Sequence, residues 1–304
     1  MITRSRRLIA VLKAIFAVVV WGASFIATKL ALREVSPVVV IWLRFGLGVI
    51  VLGWFVVRRK EFTFPTGREL GFFALLGFLA ITFHQWLQVT GLLTAQATTT
   101  AWIMTTIPVF IALLGRFILK EKLGWDRIVG ILIATIGVVL VVSHGDLESI
   151  LLGRIGTTGD LLVLISALNW AVFSVLSRKA LKNRPATQMI FSVMFFGWIF
   201  TSVWFVSFNH FGEIANISLN GWFSILFLGI ICSGFAYIFW YDALKELAAS
   251  QVGSFLYLEP LVAVAVAALL LQEPLFIAAF VGGAFILAGV WLVNRRTTIE
   301  IAPE

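Results

Sequence analysis

The chain has little from which to build a disulfide, a metal centre or a water-facing surface. Its 304 residues contain one cysteine, Cys232, which excludes an internal disulfide and any multi-cysteine metal site. Charged residues make up 12% of the sequence, against about a quarter in an ordinary soluble domain. The three histidines, His84, His144 and His210, lie far apart, and neither H-E-x-x-H nor a serine–histidine–acid arrangement is visible. There is no G-x-x-x-x-G-K-[ST] motif, and no stretch between apolar runs is long enough for a nucleotide-binding domain. These absences argue against a cofactor, a metal and an ATP-driven motor. Any work the protein does must draw on gradients.

What is abundant is apolar side chain. Hydrophobic residues are 61% of the chain, with 28 Phe and 12 Trp, and one water-soluble core cannot bury that much. The expected solvent is the lipid bilayer, with aromatics facing lipid and the interfaces. The net charge of +8 does not point to nucleic acid, because the basic residues are scattered through short loops. The opening "MITRSRRLIAVLKAIFAVVVWGAS" has the look of a signal peptide. The apolar run continues past it, however, and a matching segment recurs mid-chain, so it is read as a first membrane span.

Roughly 20 mostly apolar residues cross a bilayer as a helix. Ten segments qualify: 13–33, 37–57, 70–92, 96–119, 125–143, 158–181, 187–208, 220–243, 248–271 and 275–293. With the N-terminus cytoplasmic, the inner face collects Arg4, Arg6, Arg7, Lys13, Arg58, Arg59, Lys60, Arg68, Arg116, Lys120, Lys122, Arg127, Arg178, Lys179, Lys182, Arg184, Lys245, Arg295 and Arg296. The outer face has Lys29, Arg33 and Arg154, and Arg44 lies within the second span. That bias predicts cytoplasmic termini, and the membrane expected is the plasma membrane.

The chain also repeats itself. Shifted by 152 residues, Pro108 falls on Pro260, Glu121 on Glu273, Gly130 on Gly282 and Gly137 on Gly289. Gly77, Phe83 and Leu92 fall on Gly229, Phe235 and Leu244, and near a shift of 149 Trp21 falls on Trp170. The expected organisation is a first repeat over 1–145, an outer linker over 146–157, a second repeat over 158–296 and a cytoplasmic tail over 297–304. Each repeat has five spans, an odd number, so the two must lie inverted in the membrane, a plan recurrent among secondary transporters. The fold class expected is an all-α membrane bundle of ten helices, two inverted halves around a central cavity.

Polar side chains within the spans mark the candidate site, because in lipid they should face the bundle interior. In the third span His84 and Gln88 share one face. In the eighth, Tyr237, Trp240 and Tyr241 do so. The first span offers Trp21 and Ser24, and the sixth Asn169 and Trp170. The fourth is rich in threonine, with Thr98 and Thr105 taken as cavity candidates. His84 suits a proton relay, or equally a hydrogen-bonded structural role. Pro108 and Pro260 break the fourth and ninth spans at matched positions, a pointer to a central site or to simple packing kinks. Tyr257 and Glu259 stand beside the second break. Arg44 is deep enough to need company: an anionic substrate, Glu259 or the backbone carbonyls near Pro260, unless it snorkels to the outer end; for Glu259, Arg44 is the partner expected. Glu259 itself falls opposite Ile107 and has no counterpart in the repeat. Glu121 and Glu273 are read as structural acids, Glu273 meeting the helix that starts at Pro274. Asp242 is read as a solvated helix end, and Cys232 as a small packing residue.

These features resemble the EamA-type members of the drug/metabolite transporter superfamily: "WGASF" in the first span, the arginine of the second, and the P-x12-E pattern closing spans four and nine. The resemblance covers nearly the whole chain. It implies a basket of helices, with spans one, three, four, six, eight and nine around the substrate cavity and spans five and ten at the periphery. It also implies a permease for amino acids or other metabolites, with proton coupling in some members. The function expected is export of a small organic solute, amino acids favoured, without ATP, the partners being that solute and the bilayer, with movement either coupled to a proton or facilitated. The rivals are a non-transporting membrane sensor and a lipid-modifying intramembrane enzyme. The enzyme would want paired acids or a histidine–acid pair near an interface, and neither is seen.

Overall fold

In lipid a backbone amide finds no water, so each spanning segment must satisfy its own hydrogen bonds as a helix. The computed structural model describes residues 4–118, 124–146, 148, 151, 156–181, 184–247 and 249–294, and among these every regular element is helical. The helices are α1 (Arg4–Ala31), α2 (Pro37–Arg58), α3 (Gly67–Gly77), α4 (His84–Gly91), α5 (Ala97–Met104), α6 (Ile107–Ile118), α7 (Trp125–Val142) and α8 (Thr158–Leu181). They continue with α9 (Ala186–Ser207), α10 (Phe211–Ile214), α11 (Leu219–Leu226), α12 (Ala236–Glu246), α13 (Ala249–Ser254), α14 (Glu259–Leu270) and α15 (Ile277–Asn294). Among the described residues eight helical segments are long and apolar enough to cross a membrane, and the shorter apolar helices Ile128–Val142 and Ile277–Val293 fall at the fifth and tenth expected spans. Large side chains such as Ile50, Trp54, Val203 and Leu269 are exposed on the outside of the bundle. That suits a lipid solvent.

Two features were not foreseen from sequence. The third and eighth spans are not continuous α-helices: Phe78–Phe83 joins α3 to α4 as a π-helix, and Phe227–Phe235 joins α11 to α12 in the same way. A π turn widens the helix by a residue and re-aims everything after it, and such turns recur at functional sites. Both lie just before the polar stretches of their spans. Both also take a side-chain donor from a neighbour: Asn169 Nδ2 to the Leu79 carbonyl at 2.7 Å, and the Trp21 indole to the Cys232 carbonyl at 3.0 Å.

Close packing is carried by glycine. A Cβ on Gly137 would lie 2.5 Å from the Gly282 carbonyl, and one on Gly130 2.7 Å from the Gly289 carbonyl. The pairs matched in sequence thus meet crosswise, and α7 and α15 run backbone to backbone. Small residues allow such approach where apolar burial gives helices no reason to associate.

Ion pairs and caps fasten the two ends of the bundle. At the end holding the N-terminus, Asp242 accepts from Lys13 Nζ at 2.8 Å and from both Arg59 nitrogens at 2.8 and 3.0 Å. Its expected solvated role is therefore corrected: the eighth span brings it back to the starts of the first and the end of the second. Arg184 binds Glu69, and Lys245 binds Glu61, at the same end. At the far end Glu213 accepts from the Ser36 amide at 2.6 Å and from His210, while Glu34 accepts from Ser218. Burial pushes the Glu213 carboxyl up, but these hydrogen bonds outweigh it and hold it below the usual carboxylate value.

Candidate functional site

Between these ends lies a cavity of about 740 Å³, within the range of about 300–1,000 Å³ typical of small-molecule sites. Its wall is assembled from α1, α2, α4, α8 and α12, with the broken fourth and ninth spans completing it. Of the residues expected here, Trp21, Ser24, Arg44, His84, Gln88, Thr105, Trp170, Tyr237, Trp240, Tyr241, Tyr257 and Glu259 line this one space, as does Pro108. Thr98 and Asn169 do not. Thr98 is buried at the far end with its amide on Glu273, and Asn169 is spent on the Leu79 carbonyl. Pro260 is buried in the helix start behind the wall.

The breaks have a common form. α5 stops at Met104, Thr105 and Thr106 make a turn, and α6 begins at Ile107 and Pro108. In the other half, the 3₁₀ turn Phe255–Leu258 leads into α14 at Glu259 and Pro260. Proline fits the first turn of a helix, where its missing N–H costs nothing. Each proline thus starts a half-helix at the cavity rather than kinking a continuous one.

Arg44 is 6% exposed. Its Nε donates to Ser233 Oγ at 2.9 Å, Nη1 reaches Gln85 Oε1 at 3.5 Å, and the guanidinium lies 5.2 Å from the centre of the Phe45 ring. The expected Arg44–Glu259 pair does not form: among the described residues Arg44 is held by neutral groups alone, and Glu259 has neither an ion pair nor a hydrogen bond. The neighbour Gln85 was not among the sequence candidates. Its presence follows from the π turn, which rotates α4 so that positions 84, 85 and 88 all reach the cavity. His84 Nδ1 lies 3.0 Å from the Ser166 carbonyl, and its ring packs 4.7 Å from Trp170. An aromatic group stands on the opposite wall, with Trp21 5.3 Å from both Tyr237 and Trp240. Met104, Ile107 and Ile111 give the fourth-span side of the cavity an apolar surface.

Glu273 is a structural acid at a different helix from the one expected. Its carboxylate accepts from the Ala97 and Thr98 amides at 2.8 and 3.1 Å, so it caps α5 rather than the helix after Pro274. Lys29 joins it at 3.4 Å and donates to the Ala95 carbonyl at 2.8 Å. An acid at a helix N-terminus meets free N–H groups and the positive dipole end together. None of these residues lines the cavity. Glu121, its partner in the repeat, lies outside the described residues. Cys232 is fully buried and packs with its sulfur on the Val20 carbonyl at 3.3 Å.

Fold and site together define a multi-pass helical membrane protein with a polar and aromatic chamber inside an apolar bundle. The chain belongs to the EamA-like transporter family, which matches residues 8–143 and again residues 157–295, so that the family's domain occurs twice. It is 30% identical to an uncharacterized transporter of Archaeoglobus fulgidus over 91% of this chain and 94% of that one. A probable terminal-alkyne amino-acid exporter of Streptantibioticus cattleyicolor is 27% identical, over 95% of this chain and 94% of its own. A probable amino-acid metabolite efflux pump of Salmonella typhimurium is 28% identical, over 92% of each. Among solved structures, one crystal structure superposes with a TM-score of 0.66 over 94% of this chain and 96% of that one. At 19% identity that likeness shows the fold alone. The relatives are named as transporters, not enzymes, and this chain is a transporter of the same family.

Proposed function

We propose that the protein is a secondary exporter of small organic metabolites, amino acids favoured, working by alternating access without ATP. The single observation that carries this reading is the central chamber, which holds an arginine, an acid, amides and aromatic rings inside a bundle otherwise apolar. Two relatives named for amino-acid export support the choice of solute class. The working architecture is ten spans in two inverted five-span halves, in the plasma membrane, with both termini cytoplasmic. The matched half-helices α6 and α14 start at the site from the two halves, as such a plan requires. Exchanging the roles of the halves would turn an inward-facing chamber into an outward-facing one of similar energy.

The lining supports assigning this conformation to the inward-facing state. It extends to Ile111, Tyr241, Gly253 and Ser254 on the side of the N-terminal end, whereas the Lys29–Glu273–Ala97 clasp stands beyond it at the far end. In the chamber Arg44 receives a carboxylate, and Trp21, Trp170, Tyr237, Trp240 and Tyr257 pack on an apolar side group. Growth tests the reading. A strain overproducing the protein should resist one class of toxic amino-acid analogues, and a deletion strain should be sensitised to the same class. Equal growth of both strains across a broad panel would count against export and favour a non-transporting sensor. Flux is either downhill movement of the solute or exchange against a proton, and vesicles with and without a pH gradient separate the two.

A further inference from the structure

Resting on that reading, we infer that the chamber selects solutes bearing a protonated amine, and that the Glu259 carboxylate is the group that receives it. Among the described residues one acid and one permanent cation line the chamber, Glu259 and Arg44. They do not neutralise each other. Arg44 is fastened to Ser233 and Gln85, and among the described residues Glu259 has no hydrogen-bond or ion-pair partner. A charge withdrawn from water without a counter-charge is costly. The compensation that the protein withholds is what a bound solute would supply.

The surroundings of Glu259 suit a cation. It is the first residue of α14 and lines the chamber. Its backbone is fixed from behind, because the Glu259 carbonyl lies 2.6 Å from where a Cβ on Gly22 would stand. The preceding residue of α1, Trp21, then brings its indole and the packed rings of Tyr237 and Trp240 into the same chamber. Aromatic faces around a carboxylate form a recognised receptor for ammonium groups. At the matched break in the other half stands Ile107, beside Met104 and Ile111. One break is therefore acidic and the other apolar. The solute this arrangement fits is a zwitterion, with its amine at Glu259, its carboxylate toward Arg44 and its apolar group against α6.

The test uses the full-length protein purified in detergent and in proteoliposomes, with probes built on two side groups, benzyl and isobutyl. For each, the amino acid is compared with the amine lacking the carboxylate and the acid lacking the amine. The wild type is expected to bind and move the amine-bearing members at least about tenfold better than the acids that lack it. In Glu259→Gln that preference should fall to about twofold or less, and Glu259→Asp should restore it with an unchanged melting profile. Equal binding of the amine-lacking acids would overturn the proposal. So would a preference that survives in a folded Glu259→Gln, or no binding of any probe. In the first two cases solute still moves and the transporter reading stands; vesicles that move no probe at all would remove that reading as well.

Discussion

The two broken spans share a position, a proline and a half-helix, and differ in charge. Ile107 starts α6 where Glu259 starts α14. The shared features build the scaffold, since both breaks place a helix start at the chamber. The difference supplies the chemistry, since only one of them brings a charge. Repetition in this chain accounts for architecture, and departure from repetition accounts for the site.

Erasing the difference should have the largest effect. Glu259→Ile would make the second break resemble the first. Flux of amine-bearing solutes is expected to fall at least about a hundredfold, as a lost charged hydrogen-bond partner allows. The melting temperature should hold or rise, because a buried charge has been removed; proteoliposome flux and a melting curve on one preparation check both. Next is Arg44→Lys. A lysine cannot hold Ser233 and Gln85 in a fixed fork while facing the chamber. Flux should drop about tenfold, with the loss concentrated in carboxylate-bearing probes.

A change in what the halves share should act on stability instead. Gly137→Leu would drive a side chain into the Gly282 carbonyl, 2.5 Å from its Cβ. About 1–3 kcal/mol of stability should be lost, while binding by the folded fraction is unchanged; thermal denaturation with a ligand titration separates the two. The smallest effect concerns the far-end cap. The Glu213 carboxyl is depressed, so its stabilising contribution is present above the ordinary carboxylate value and is lost as pH falls through the lower folded value. Glu213→Gln should therefore lower the melting temperature slightly at neutral pH and have almost no effect under strongly acid conditions.

Much of this was readable before the structure. Long apolar runs, basic loops and the 152-residue shift led to a helical membrane bundle with repeated halves. Most of the polar residues named inside spans do line one chamber, because lipid leaves them nowhere else to face. The failures have physical causes. Thr98 sits within the fourth span but at a capped helix start, and a threonine-rich run does not reveal which of its turns is a cap. Glu273 reaches across to α5, and Asp242 to Lys13 and Arg59, contacts set by tertiary packing between residues more than 170 positions apart. The π turns leave no simple periodic mark, yet they bring Gln85 into the chamber. Two opposite charges within spans are expected to meet, as Arg44 and Glu259 would. The structure gives Arg44 neutral partners and leaves the acid facing the cavity.

The central claim is transport through this chamber without ATP, selected at Glu259. The most direct measurement is solute flux in ATP-free proteoliposomes, comparing wild type with Glu259→Gln on the same labelled amino acid. The account predicts gradient-driven flux for the wild type and a loss of about tenfold or more in the variant, with both equally folded. Wild-type vesicles no more permeable than empty ones to every probe, or a folded variant that transports as fast as the wild type, would contradict it.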